Sequence, residues 1–196
     1  GVFNTDIPVF KPGTTTQNRD KCVLIGYNLA KFSFLYEGSR PRSPLNLNHL
    51  DAQMRLYENL DISIKNNTIV RLKPFFDDVY SKFLWKKKFK TINISDERGK
   101  FVSNLNESKL NIVTYNASTP LQSIYSNIPT IIFLDKRFYS FSNELDYFFR
   151  KFEDLGVFFQ DDIEAARQVN KIWNNSFDWW YSNEIQDLRV KFCEKF

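Results

Sequence analysis

The stretch from Leu110 to Asp135, LNIVTYNASTPLQSIYSNIPTIIFLD, constrains the fold more than any other. Leu110 to Tyr115 is a short run of β-branched and aromatic residues, Asn116 to Ser118 carries turn chemistry, and Pro129 to Leu134 is a second apolar run rich in isoleucine. Both runs read as strands buried on two faces, the habit of a parallel sheet. Between them Thr119 offers a hydroxyl to free helix amides, Pro120 suits the first helical position and Gln122 stands three residues past the cap. Leu121, Ile124, Tyr125 and Ile128 then form a helical stripe expected to face the sheet. Strand, helix and strand in this order make one parallel βαβ unit.

A polar turn that leaves the carboxyl end of a parallel strand and opens a helix presents unpaired amides and a positive dipole end. Asn116, Ser118 and Thr119 are therefore candidates for holding a phosphate or diphosphate. The same residue types also cap helices with no ligand present, and the pattern alone leaves both readings open.

The rest of the chain repeats the alternation. Residues 1–20, with Pro8, Pro12, Gly13 and three consecutive threonines, read as a linker or arm. Cys22 to Tyr27 is a first strand, followed by a long polar and aromatic loop, Asn28 to Pro44, that contains Arg40 and Arg42. Loops of this length inside a compact domain are usually functional, so Tyr27, Arg40 and Arg42 are possible ligand contacts. Leu50, Met54, Tyr57, Leu60 and Ile64 recur at helical intervals and predict one helix over 46–64, with the single histidine, His49, as a surface or capping residue in its first turn.

Thr68 to Pro74 is a second strand. Charged side chains in a sheet covered on both faces belong at strand ends, which places Arg71 and Lys73 at the carboxyl edge, facing the same crevice as Thr119; an edge strand with a solvated face is the alternative. Phe75 to Phe89 reads as a helix with a basic last turn, Thr91 to Ser95 as a third strand, and Arg98 to Ser108 as a short helix. Beyond Asp135, Ser142 or Asn143 caps a helix closed by Gly156, Val157 to Phe159 is a last short strand, and Asp161 or Asp162 caps the next helix. Trp179 and Trp180 precede a terminal helix capped by Asn183, and such paired tryptophans usually wedge against a neighbouring surface. The fold class is thus α/β, a doubly wound, mostly parallel, Rossmann-like sheet.

Composition narrows the function classes. With 196 residues, 42% of them hydrophobic, the chain can bury a full core as one domain. A net charge of +4 does not demand nucleic acid, and the aromatics follow core periodicity rather than interleaving with arginine on one surface. Cys22 and Cys193 are too few and too far apart for a disulfide scaffold or a zinc knuckle, which fits a reducing compartment. No D-x-D pair follows a strand, and Asp77, Asp78, Asp161 and Asp162 sit at helix starts, so no metal site is expected. No apolar run approaches the roughly 20 residues that span a bilayer. The start at Gly1, without methionine and in a loop-like stretch, suggests a piece of a longer polypeptide.

Two segments carry a further signal: NIVTYNASTPLQSIYSNIPTIIF, from Asn111, and DYFFRKFEDLGVFFQDDIEAARQVNKIWNNSFDWWYSNEIQDLRVKFCEKF, from Asp146. Together they resemble the C-terminal half of a bacterial family of transferases found with surface-polysaccharide genes, in which a TYN-type turn and an N-x-PTI-x-F strand precede a WW, Q-x-x-R-x-x-FC tail. The match is specific from about Val70 to Phe196 and weak before Leu50; Ala117, Pro120 and Gln122 depart from the family's usual residues. The resemblance implies one half of a GT-B architecture, in which two Rossmann-like domains face each other across a cleft. Residues 21–175 would be the donor-binding domain and 176–196 a Trp-rich helix crossing to a partner domain. It implies that Asn116, Ser118 and Thr119 line the donor diphosphate site, with Arg71 and Lys73 as charge partners.

The expectation is therefore the sugar-nucleotide-binding domain of a metal-independent glycosyltransferase of bacterial surface polysaccharide or glycolipid synthesis. It would need no cofactor, and this stretch alone would be inactive because the general base usually lies in the other half. Expected partners are a nucleotide sugar, a glycan or lipid-linked acceptor, and a missing N-terminal domain or a second copy, at a cytoplasmic location with at most peripheral membrane contact. The alternative is a non-catalytic Rossmann-like scaffold that docks a partner through its Trp-rich tail.

Overall fold

The computed structural model describes residues 19–26, 45–72, 80–95, 107–116, 118–135 and 137–196. Six strands, β1 (Lys21–Gly26), β2 (Thr68–Leu72), β3 (Asn93–Ser95), β4 (Ser108–Val113), β5 (Thr130–Phe133) and β6 (Phe158–Phe159), form one sheet in the order β3-β2-β1-β4-β5-β6. Every pairing is parallel: Cys22 lies beside Thr68, Ile25 beside Val113, Asn111 beside Thr130 and Phe133 beside Phe159. This is the doubly wound α/β sheet expected, with the chain reversing its direction of travel between β1 and β4.

The period-2 alternation of strand side chains decides which core each residue joins. Leu24, Leu110, Ile112, Ile131 and Phe133 enter one core with α1 (Leu45–Glu58), α2 (Ile62–Asn66), α3 (Tyr80–Lys88) and α6 (Asp162–Ile172). Ile132 and Leu134 enter the opposite core with α4 (Ser118–Tyr125), α5 (Asn143–Asp154), α7 (Ser176–Trp180) and α8 (Asn183–Lys195). The first core is mostly aliphatic, whereas the second contains Phe149, Phe152, Phe158, Trp180 and Phe192, with Phe149 stacked on Phe158 at 4.6 Å.

Local signals hold at several element ends. Asp161 accepts from the amides of Ile163 and Glu164 at 2.9 and 3.0 Å, Ser142 accepts from Leu145, and Gly156 leaves α5 at φ +69°. The backbone favours glycine there, and a Cβ at Gly156 would also lie 2.6 Å from Gln168 Nε2 and displace that side chain.

Elsewhere long-range contacts override the local pattern. The single helix predicted over 46–64 is two, because Asn170 of α6 reaches across the break: its Nδ2 donates to Asn59 O and its Oδ1 accepts from Asp61 N, both at 2.9 Å. Ser108 opens β4 instead of ending a helix; most of the helix predicted from Arg98 lies outside the described residues, as do Lys73, Pro74 and 75–79. The terminal helix follows Ser182, which makes no side-chain capping bond, so Asn183 is its first residue and not its cap. Tyr125, assigned to the sheet-facing stripe, is 43% exposed.

The burial demanded by Trp180 is met inside this chain. It is fully buried beside Ile124, Phe152 and Leu188, and its Nε1 donates to Asn127 Oδ1 at 2.8 Å. Trp179 is half-buried and donates to Leu155 O at 3.3 Å. The tail is thus part of the second core and not an exposed wedge. Among the described residues no helix is long and apolar enough to cross a membrane.

Candidate functional site

The direction of travel reverses between β1 and β4, and in doubly wound sheets ligands collect at the carboxyl ends of the strands at such a reversal. Three pieces of chain meet at this edge.

The first is the β4–α4 turn. Thr114 extends the β1 pairing by one residue, with both its amide and its hydroxyl donating to Ile25 O, the hydroxyl at 2.9 Å. Asn116 is half-exposed, Ser118 is exposed, and Thr119 is nearly buried with its Oγ1 3.2 Å from the Tyr115 hydroxyl. The amides of Ser118 and Thr119 open α4 without intrahelical acceptors, Pro120 having no amide hydrogen to offer, so the turn keeps two donors and a partial positive charge at this edge.

The second is the start of α1. His49 is fully buried, which corrects its assignment to the surface, and its ring stands edge-on to Phe138 and Tyr139 at 5.8 and 6.0 Å. Burial pushes its pKa down to about 4, against the upward pull of Asp135 and of a backbone hydrogen bond with Thr114. It is therefore neutral near pH 7. The reason is packing: α1 shares one core with the sheet and with α6, its neighbour on that face, so His49, Ala52, Gln53 and Leu56 form a second buried stripe beside Leu50, Met54 and Tyr57. That stripe at i, i+3, i+4 and i+7 was the sequence signal that could have found the histidine.

The third is the end of β5. Asp135, 5% exposed, is gripped by Arg137, whose Nε lies 3.0 Å from both carboxylate oxygens and whose backbone amide donates to Oδ1 at 2.9 Å. Burial alone would raise the Asp135 pKa, but the side-chain and backbone bonds and the charge of Arg137, with His49, hold it below its ordinary value. Asp135 directly follows a strand run, as Asn116 nearly does, so the rule that marked the turn after β4 applied equally here and was not used.

Arg71 sits elsewhere along this edge. It is the penultimate residue of β2, an interior strand, and is 4% exposed; its Nη1 donates to Leu72 O at 3.1 Å and Ser95 O at 3.0 Å, tying the ends of β2 and β3 together. It is neither a solvated edge charge nor part of the β4–α4 turn, from which β1 separates its strand. Lys73, Tyr27, Arg40, Arg42 and Ala117 lie outside the described residues. A separate groove of about 540 Å³ between α5 and α8, lined by Tyr147, Phe148, Lys151, Leu155, Leu188 and Lys191 among others, shares no residue with this edge.

With this geometry in hand, the comparisons decide the family. The description "LIC12162 family transferase" matches residues 7–196, nearly the whole chain. The chain belongs to the LIC12162 family of transferases. No curated protein matches it. Among solved structures it is similar to spinosyn rhamnosyltransferase SpnG complexed with thymidine diphosphate, at TM-score 0.51 and 10% identity. That likeness concerns the fold; it covers 92% of this family member and 43% of the rhamnosyltransferase, so the chain spans under half of that enzyme's length.

Proposed function

We propose that this chain is the sugar-nucleotide-binding part of a glycosyltransferase. The carrying observation is the amino end of α4, with Ser118 exposed and Asn116 half-exposed, which follows β4 at the reversal point of a parallel sheet in a transferase-family chain whose fold is similar to part of a rhamnosyltransferase complexed with thymidine diphosphate. The donor's diphosphate would lie against the first amides of α4, with Asn116, Ser118 and Thr119 as side-chain donors.

The chemistry asked of these groups is modest. When a glycosyl group departs, negative charge grows on the nucleotide diphosphate, and amides already aimed at it stabilise that charge without reorganising. No metal or cofactor is part of this reading. Asp135, kept ionised by Arg137, lies at the next strand end, suited to accepting hydroxyls of a ribose or sugar. Arg71 acts by holding the strand ends in place, and Lys73, Arg40 and Arg42 are the further cations proposed to meet the diphosphate. An acceptor glycan or lipid and the general base would come from a second domain of the whole protein, and surface polysaccharide or glycolipid synthesis at the inner membrane face is the setting that fits.

Calorimetric titration with TDP, UDP, GDP and CMP tests the reading. At least one should bind, and Thr119→Val should weaken it by about 1 kcal/mol for one lost hydrogen bond. A folded chain indifferent to all four would end the proposal.

A further inference from the structure

The far end of α4 is crowded with side-chain donors from the tail. Asn127, which follows the helix at φ +57°, receives the Trp180 indole on its Oδ1 at 2.8 Å and the Gln186 amide on the same oxygen at 3.0 Å. Gln186 also donates to Trp180 O at 2.9 Å, which fixes the two donors relative to each other. The Tyr181 hydroxyl donates to Asn127 O at 3.2 Å. Arg189, one turn along α8, places Nε on Ile124 O at 2.8 Å and Nη2 on Tyr125 O at 2.9 Å. Four side chains of the tail thus end on three residues, Ile124, Tyr125 and Asn127, at the close of α4, and Trp180, Gln186 and Arg189 belong to the tail pattern noted in the sequence.

The last carbonyls of a helix lack intrahelical donors, and a cation there also complements the negative dipole end. A cap made by local residues would satisfy those groups equally well. What the tail adds is registration: donors from α7 and α8 fix where α4 stops, and so, through a rigid helix of 8 residues, where its amino end stands relative to the sheet.

We infer that the segment Trp180–Arg189 is the positioning device of α4, setting the site at the helix's amino end from its opposite end. This rests on the donor-site reading for its functional consequence, though not for its mechanics. Arg189 and Gln186 are positioning residues, since neither is placed at the crevice.

The test compares Arg189→Met with Phe192→Leu, a control in the same helix whose ring contacts are Phe148, Phe152 and Phe196. Hydrogen exchange across 118–126 in the unliganded chain should accelerate in Arg189→Met, not in Phe192→Leu, when the two are compared at equal global stability, and Arg189→Lys should restore part of the protection. Thymidine diphosphate affinity should fall roughly 3- to 30-fold in Arg189→Met alone. Equal exchange in the two variants overturns the inference, as does unchanged affinity in a variant whose α4 has loosened. If α4 loosens as expected but even the unmodified chain binds no nucleotide, the positioning role stands and the donor-site reading falls.

Discussion

The two ends of α4 are built by opposite rules. At the amino end, Ser118 is exposed and Asn116 is half-exposed. At the carboxyl end, Trp180, Tyr181, Gln186 and Arg189 saturate the terminal carbonyls and Asn127 with hydrogen bonds. Unsatisfied polar groups are tolerable only where water or a ligand can reach them, so the contrast sets the proposed binding end against a structural end.

Substitutions should break that contrast unequally. The largest effect belongs to the structural end: Trp180→Ala removes a fully buried side chain and one of the two donors to Asn127 Oδ1, and should cost about 3–5 kcal/mol in urea unfolding. A loss below about 1 kcal/mol would show that the tail is not core.

Next comes the buried histidine behind the binding end. Its folded pKa, about 4, lies below the ordinary 6.5, so between those values the unfolded chain binds the extra proton. Stability should therefore be unaffected by His49 above about pH 7 and decline as pH falls from 6.5 toward 4, by up to about 3 kcal/mol. His49→Gln should flatten that part of the stability curve relative to the parent, and parallel curves for the two proteins would contradict the assignment.

The smallest stability effect belongs to the binding end itself. Ser118→Ala should change the melting free energy by under about 0.5 kcal/mol, as exposed substitutions do, while weakening nucleotide binding measurably in titration. If stability drops and affinity does not, Ser118 is a cap and the two ends of α4 are alike.

The same division runs through what could be read in advance. The alternation of strand and helix, burial of the runs around Ile112 and Ile131 on both faces, the caps at Ser142 and Asp161 and the left-handed exit at Gly156 were all legible. Of the site, Asn116, Ser118 and Thr119 were placed at the strand-turn-helix junction they occupy, whereas His49 and Asp135 went unrecognised. Arg71 was correctly assigned to a strand end, but which carbonyls it would serve depended on β3 being its neighbour.

What this sequence determined by itself is everything that depends on near neighbours: backbone dihedral preferences, the two- and 3.6-residue periods, and capping within one turn. Only the tertiary structure decided the strand order, the burial of His49 against Phe138 and Tyr139, the break that Asn170 makes 111 residues away at Asn59, and the docking of Arg189 on Ile124. Those contacts join groups whose local sequence is compatible with solvent, and they form because burying the apolar faces of α1, α6 and α8 brings polar neighbours out of water, where each must find a partner.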